Sequence, residues 1–86
     1  MYDLKYRRSA RHYLARLPLK AKTAIVQKLH VLALEPNNPT LDVAAIKGGI
    51  GYRLRVGKYR VIYTIHNDTL VIEIVKIRSR GDVCRR

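Results

Sequence analysis

Three arginines lie in the middle of the chain at a spacing that could bring them together. The stretch 52–63 reads Tyr-Arg-Leu-Arg-Val-Gly-Lys-Tyr-Arg-Val-Ile-Tyr, in which arginines alternate with apolar residues on both sides of a Gly-Lys pair. This pattern is typical of a β-hairpin with a two-residue turn. Residues whose numbers add to 115 then face each other, so Arg55 lies opposite Arg60, and Arg53 shares their sheet face.

Three guanidinium groups on one small surface indicate an anionic ligand. Like charges that face each other across a sheet destabilise it by roughly a few tenths of a kcal/mol. The planar fork of arginine binds phosphate oxygens in a bidentate geometry, and its charge does not titrate near neutral pH. A phosphodiester is therefore the predicted ligand of this face. The alternative is a basic face that is simply solvated.

The charge balance of the whole chain also favours an anionic partner. Its 86 residues include 18 Lys and Arg against 6 Asp and Glu, which gives a formal net charge of +12. Such an excess favours nucleic acid, an anionic membrane or an acidic protein as the partner. No apolar run approaches the ~20 residues needed to span a bilayer, and the first residues lack the apolar segment of a signal peptide. We therefore expect a single cytoplasmic domain, residues 1–86, without a membrane partner.

The sequence offers little for a disulfide or a metal site. Cys84 is the one cysteine, so no disulfide can form within the chain. Three scattered histidines without a second thiol do not make up the ligands of a structural zinc ion. We expect neither a metal nor a cofactor, and the fold must depend on its apolar core.

Hydrophobic periodicity predicts four strands and two helices. Two prolines and two asparagines within 36–39 end the second helix, and a loop is expected from there to about Val43. Ser9 is the expected N-cap of the first helix, which ends before Pro18. In chain order the predictions are a strand over Tyr2–Tyr6, helices over Ala10–Leu17 and Leu19–Leu34, and strands over Tyr52–Val56, Tyr59–His66 and Thr69–Ile77.

These elements predict an α+β fold of order β-α-α-β-β-β, with two N-terminal helices packed on one face of a small, mainly antiparallel sheet. A turn at Asn67-Asp68 would pair residues whose numbers add to 135, which places Ile62 opposite Glu73 and Arg60 opposite Val75. Glu73 could then neutralise one arginine of the basic face. Three tyrosines follow the apolar parity and are expected in the core: Tyr52, Tyr59 and Tyr63.

The segment Lys47–Tyr63 resembles a sequence motif that is common in the RelE branch of the RelE/ParE toxin superfamily, "K-L-K-G … Y-R-L-R-V-G-x-Y-R-V-I-Y". Members of this superfamily are the toxins of type II toxin–antitoxin pairs. The N-terminal Tyr2–Leu17 and the closing Arg78–Arg85 are similar as well, so the resemblance covers nearly the whole chain. It implies a RelE-like fold.

The resemblance also implies an activity. RelE-like relatives are mRNA interferases, ribosome-dependent endoribonucleases that cut the codon exposed in the A site and so inhibit translation. They use no metal. The ribose 2′-hydroxyl attacks the neighbouring phosphorus, which leaves a 2′,3′-cyclic phosphate and a 5′-hydroxyl, while basic residues stabilise the charge on the phosphate oxygens.

Site residues follow from the same resemblance, position by position. Arg60 takes the place of the arginine that stabilises the phosphate, and Arg53 stands where a family lysine activates or positions the nucleophile. Arg78 matches the arginine near the leaving oxygen. Arg55 and Arg80 are predicted to bind substrate beside them.

Cys84 marks a departure from the family, whose members commonly carry a tyrosine there that stacks on a base or assists proton transfer. A thiol cannot stack on a purine. Three readings stay open: Cys84 is a weak catalytic substitute, the activity is reduced, or another residue does the work. At the other end of the chain, Arg7, Arg8 and Arg11 either bind the backbone of ribosomal RNA or form a solvated surface.

The partners implied are the ribosome, mRNA and a cognate acidic antitoxin that lays an extended helix over the toxin. A toxin–antitoxin complex would bind operator DNA through the antitoxin. Two alternatives differ in function: a ParE-like toxin that poisons DNA gyrase by protein contact, and a catalytically degenerate relative that only binds the antitoxin.

Overall fold

The computed structural model describes residues 1–80, which form two helices and one five-stranded sheet. In chain order the elements are β1 (Asp3–Tyr6), α1 (Arg8–Ala15), α2 (Leu19–Leu34), β2 (Asp42–Ala45), β3 (Tyr52–Val56), β4 (Tyr59–His66) and β5 (Val71–Ser79). The sheet order is β1-β5-β4-β3-β2, in which β1 and β5 run parallel and all other neighbours run antiparallel. The predicted α+β fold with a mainly antiparallel sheet is confirmed.

One strand was not predicted. The sequence indicated a loop to about Val43, but Asp42–Ala45 forms the edge strand β2 and pairs with β3. Its composition, one aspartate, one valine and two alanines, has low β propensity, so the local pattern gives no strand signal. The strand forms because β3 presents an edge along which four residues can pair, which places Asp42 opposite Arg55.

The two helices begin and end close to their predicted limits. The prediction of Ser9 as the N-cap is wrong, because α1 begins at Arg8 with Arg7 as its N-cap and no capping bond from that side chain. The backbone N–H of Arg7 donates to the carbonyl of Ile74 at 3.0 Å, so the pairing of β1 with β5 decides where the strand ends and the helix begins. The second helix, α2, has the predicted limits. Neither of these helices is long and apolar enough to span a membrane.

The core lies between the helices and one face of the sheet. Tyr63 is buried as predicted, and Tyr59 is half-buried against the core. Tyr52 is 38% exposed at the margin, where its ring stacks on Tyr63 with a centroid distance of 5.6 Å. The largest buried side chains are Ile25, Leu29, Leu32, Leu54, Val61, Tyr63, Ile72, Ile74 and Ile77.

The register between β4 and β5 differs from the prediction. The turn takes four residues, 67–70, instead of two, and Leu70 within it adopts a left-handed conformation with φ of 54°. Glu73 consequently lies opposite Thr64 and not opposite Ile62. A bulge at Val75 then adds one residue to β5, so that Arg78 lies opposite Arg60 where Val75 was expected.

Candidate nucleic-acid interface

A row of charged residues crosses four strands on the sheet face that looks away from the helices. The Gly57-Lys58 hairpin has the predicted register, with Arg55 directly opposite Arg60. The shifted register of β5 adds Arg78 to this row. Neighbouring strands are about 4.8 Å apart, so the Cα atoms of the three arginines lie within roughly 10 Å of one another. Asp42 of β2 ends the row next to Arg55.

A second row runs beside the first. It contains Ala44 of β2, Arg53 of β3, Ile62 of β4 and Lys76 of β5. Lys76 was not predicted to belong to this face. In the uninterrupted register expected from the sequence it would pair with Tyr59 on the core face, and the bulge at Val75 turns it onto the face of the arginines, opposite Ile62. A bulge of this kind leaves no mark in the sequence, since Val75 is an ordinary strand residue.

Arg53 is the arginine of this face whose environment indicates a ligand most directly. It is half-buried, and its Nε atom is buried without a hydrogen-bond partner among residues 1–80. A buried donor left unpaired costs about 1–3 kcal/mol, so such groups in native structures need an explanation. An anionic oxygen placed over the face would accept this hydrogen bond.

The other site residues differ in exposure. Arg60 is half-buried, whereas the side chains of Arg55, Arg78 and Arg80 are exposed. Arg80 follows the end of β5, and its backbone N–H donates to the carbonyl of Lys58 at 2.9 Å, which ties the segment to the β3–β4 turn. Within the described part of the chain, no ion pair involves these four arginines. Cys84 lies outside the described residues.

Glu73 does not neutralise the arginine face, contrary to expectation. Its Oε2 accepts a hydrogen bond from Nε of Arg7 at 2.9 Å, and its Oε1 lies 3.8 Å from Nε2 of His66. The hydrogen bond from Arg7 holds the pKa of Glu73 below its ordinary value. Glu73, the one glutamate of β5, therefore pairs with Arg7. Its negative charge does not offset the positive charge of the two arginine rows.

The N-terminal arginines do not form a uniform surface. Arg7 is paired with Glu73 where β1 leads into α1, while the side chains of Arg8 and Arg11 are exposed on α1. Two of the three predicted RNA-binding arginines are thus available to an anionic partner. Binding of ribosomal RNA by this cluster stays a prediction.

Breaking the Arg7–Glu73 pair should cost stability only while Glu73 is ionised. The folded-state pKa of Glu73 lies below the ordinary 4.5, so the pair stabilises the fold above that pH, and the contribution is lost as the pH falls through the folded-state pKa. We expect Glu73→Gln to lower the free energy of unfolding by less than about 1 kcal/mol near neutral pH, because both side chains are partly exposed. Urea unfolding near pH 7 and pH 3 measures this, and an equal loss at both would contradict it.

Tyr63 of the hairpin is a poor candidate for proton transfer. Burial, with a smaller effect of Tyr52, raises the pKa of Tyr63 to about 12. Its ring also belongs to the core, on the sheet face opposite the arginines. Among the described residues, no group of three or more His, Cys, Asp or Glu side chains comes together as a metal site. Basic side chains make up most of the charged groups on this face in the described part of the chain.

Comparison with known proteins identifies the family. A family model described as the ParE toxin of the type II toxin-antitoxin system, parDE, matches residues 4–83. A chain of the archaeal RelE-RelB complex from Pyrococcus horikoshii OT3 is 32% identical, covering 93% of this chain and 96% of that chain, with a TM-score of 0.80. The chain belongs to the RelE/ParE toxin superfamily, in its RelE-like branch. It is the toxin of a type II toxin–antitoxin system.

More distant toxins share the same fold. A chain of the RelBE2 complex from Mycobacterium tuberculosis is 24% identical, covering 92% of this chain and 98% of that chain, with a TM-score of 0.75. The isolated RelE toxin of E. coli is 16% identical, covering 99% of this chain and 98% of that chain, with a TM-score of 0.78. No curated protein sequence matches the chain. The resemblance predicted from Lys47–Tyr63 is thus confirmed for family and fold.

Proposed function

We propose that this RelE-like toxin is a metal-independent endoribonuclease that cleaves mRNA in the ribosomal A site and so inhibits translation. The observation that carries the proposal is the row of Arg55, Arg60 and Arg78, directly opposite one another on the face away from the helices. Arginine forks bind phosphate oxygens in bidentate geometry, so the row suits the backbone of an RNA strand. The 32% identity to a chain of an archaeal RelE-RelB complex supports it.

Each arginine has a proposed place in the reaction. The ribose 2′-oxygen attacks the neighbouring phosphorus and the bond from phosphorus to the 5′-oxygen breaks, which yields a cyclic phosphate and a 5′-hydroxyl. Arg60, at the centre of the row, holds the non-bridging oxygens, and Arg53 offers its unpaired Nε beside the nucleophile. Arg78 lies near the leaving oxygen, with Arg55 and Arg80 binding the flanking backbone. Fixed donors of this kind supply several kcal/mol of transition-state stabilisation.

Cys84 stands at a position where the family resemblance implies a catalytic residue. The position is one at which relatives carry a tyrosine, and a thiol offers neither its stacking surface nor its reach. Arginines, and not a thiol, are the side chains suited to bind phosphate, so we propose that Cys84 affects the rate of cleavage more than the affinity for RNA.

The toxin is proposed to dock on the ribosome by charge. The formal net charge of +12 and the exposed Arg8 and Arg11 suit binding to the phosphates of ribosomal RNA. Such binding weakens steeply as salt rises, because each neutralised phosphate releases counterions. Arg7 contributes less, since Glu73 already engages it.

A cognate acidic antitoxin is the proposed protein partner. The similar structures from Pyrococcus horikoshii and Mycobacterium tuberculosis are of toxin-antitoxin complexes. An acidic segment that folds on this toxin would compensate part of its charge and cover exposed apolar side chains such as Leu19, Leu34 and Ile50. The resulting complex would bind operator DNA through the antitoxin.

Primer extension on a defined mRNA tests the activity. Purified toxin is added to the mRNA with and without translating ribosomes, and the positions of the cuts are read against the codons. We expect cuts within A-site codons only when ribosomes are present. Cuts in RNA without ribosomes would replace the proposal with a ribosome-independent nuclease, and intact mRNA in both cases would overturn it.

A second function is favoured by one observation, the match of residues 4–83 to the ParE toxin description. In that case the toxin would poison DNA gyrase by protein contact and would not cut RNA. Gyrase-dependent DNA breaks with intact mRNA distinguish this function from the first. A catalytically degenerate toxin would give neither result, and its overproduction would leave growth unchanged.

A further inference from the structure

The proposed reaction needs a proton that the arginines of this face do not readily supply. The 5′-oxygen leaves as a strongly basic alkoxide unless an acid protonates it as the bond to phosphorus breaks. Arginine keeps its proton because the delocalised guanidinium ion is a very weak acid. Arg53, Arg55, Arg60 and Arg78 can therefore bind and stabilise charge, but all four are poor proton donors. A lysine ammonium is a better donor, and the face contains one.

Lys76 reaches this face through the bulge at Val75. It lies opposite Ile62 in the second row, beside the row in which Arg78 faces Arg60. Lys76 and Arg78 are two residues apart on the same strand, about 6.6 Å along it, with their side chains on the same side. Lys76 is exposed, so its flexible four-carbon stem can carry the ammonium toward a group bound at Arg78.

A small cavity lies beside these two residues. Lys76, Ile77 and Arg78 of β5 line this cavity of about 130 Å³ together with Ser9 and Tyr13 of α1. It lies beside the part of β5 that follows Ile74, where the pairing with β1 has ended. An oxygen bound at Arg78 is therefore close to a cavity that Lys76 also borders. That oxygen is the leaving 5′-oxygen in the proposed reaction.

We propose that Lys76 is the general acid of the cleavage, an inference that rests on the proposed endoribonuclease function. The 2′-oxygen forms its bond to phosphorus and its proton passes to solvent water. The bond from phosphorus to the 5′-oxygen breaks, and Nζ of Lys76 gives that oxygen a proton. The products are the cyclic phosphate, the 5′-hydroxyl and a neutral lysine amine, which takes a proton back from solvent.

The groups around Lys76 are consistent with this role. Arg78 on its own strand, Arg60 on β4 and Arg53 on β3 are all cations, so none competes with the leaving oxygen for its proton. Glu73, on the same strand, is held by Arg7. From α1, Ser9 and Tyr13 also line the cavity, and neither is an ionised base at neutral pH.

Two substitutions and a modified substrate test the proposal. Lys76→Met removes the charge and the proton, whereas Lys76→Arg keeps the charge but holds its proton too tightly to donate it. Each is compared with wild type and with the control Lys20→Met, an exposed lysine of α2. Single-turnover cleavage of ribosome-bound RNA is measured with the normal 5′-oxygen and with sulfur in its place, since a thiolate leaves without protonation. Thermal melts check that the folded state is retained.

We expect both Lys76 variants to cleave the normal RNA about 10²-fold more slowly, and Lys20→Met to match wild type. With sulfur as the leaving atom, both Lys76 variants should come within a few-fold of wild type. Normal cleavage by Lys76→Arg, or a loss in Lys76→Met that sulfur does not restore, would overturn the role of Lys76 alone. If wild type cleaves neither RNA, the endoribonuclease function fails and the general acid fails with it.

Discussion

Arg60→Ala is expected to lower ribosome-dependent RNA cleavage by roughly 10³-fold and to remove growth inhibition. Arg60 lies at the centre of the charged row, directly between Arg55 and Arg78, and it is half-buried. The loss of this donor removes stabilisation where charge develops on the phosphate oxygens. Primer extension and growth after induction measure the two effects.

The same substitution should leave the fold intact. Arg60 faces arginines on both neighbouring strands, so its removal relieves a repulsion of roughly a few tenths of a kcal/mol. The substitution also leaves no buried hydrogen-bonding group of residues 1–80 without its partner. We expect the free energy of unfolding in urea to be equal to that of wild type or slightly higher. Arg16→Ala, which removes an exposed arginine after α1, is the control for charge and should keep full activity. An Arg60→Ala toxin that still stops growth would contradict the assigned role.

The hairpin that carries three of the arginines could be predicted from the sequence because a two-residue turn leaves only one register. Gly57 has φ of 58°, the left-handed conformation that such a turn requires and that glycine adopts without strain. Once the turn was identified, the pairing of Arg55 with Arg60 followed from counting. This local determination is why the centre of the candidate site was predicted correctly.

The rest of the site depends on features that leave a weak local signal. Leu70 takes a left-handed conformation that a leucine rarely adopts, so the four-residue turn at 67–70 could not be expected from its residue types. The bulge at Val75 then moves every later residue of β5 by one position relative to β4. Arg78 and Lys76 join the basic face for this reason. Their charges were visible in the sequence, but their positions were not.

Pairing between distant parts of the chain explains the remaining differences between the predicted and the observed structure. Arg7 and Glu73 are 66 positions apart and meet only because β1 pairs in parallel with β5. Parallel neighbours are not joined by a tight turn, so no local rule fixes their register. The same applies to β2, whose four residues form a strand only against the edge of β3. The sequence therefore predicts the elements and one hairpin, whereas the sheet order decides which charges meet.

Among the glycines, Gly51 is the position at which we expect an added Cβ atom to lower the free energy of unfolding most. Gly51 has φ of +116°, and a Cβ atom built there would lie 2.7 Å from the carbonyl oxygen of Tyr63 and 3.3 Å from Cγ2 of Thr64. Tyr63 is buried in the central strand, so its backbone cannot move without disturbing the core. We expect Gly51→Ala to lower the free energy of unfolding by about 3 kcal/mol or more, from the clash and the backbone strain together.

Gly48→Ala is the matched control, because it lies in the same loop and also has positive φ, +74°, but its added Cβ would meet nothing within 4 Å. It should cost only the strain of the left-handed conformation, roughly 1–2 kcal/mol. Urea unfolding of both variants separates the clash from the strain. Equal losses would show that the close approach of Gly51 to β4 is unimportant. A larger loss in Gly51→Ala would show that the loop before β3 is fixed by direct backbone contact with β4, which in turn holds Arg53 in place at the start of the basic face.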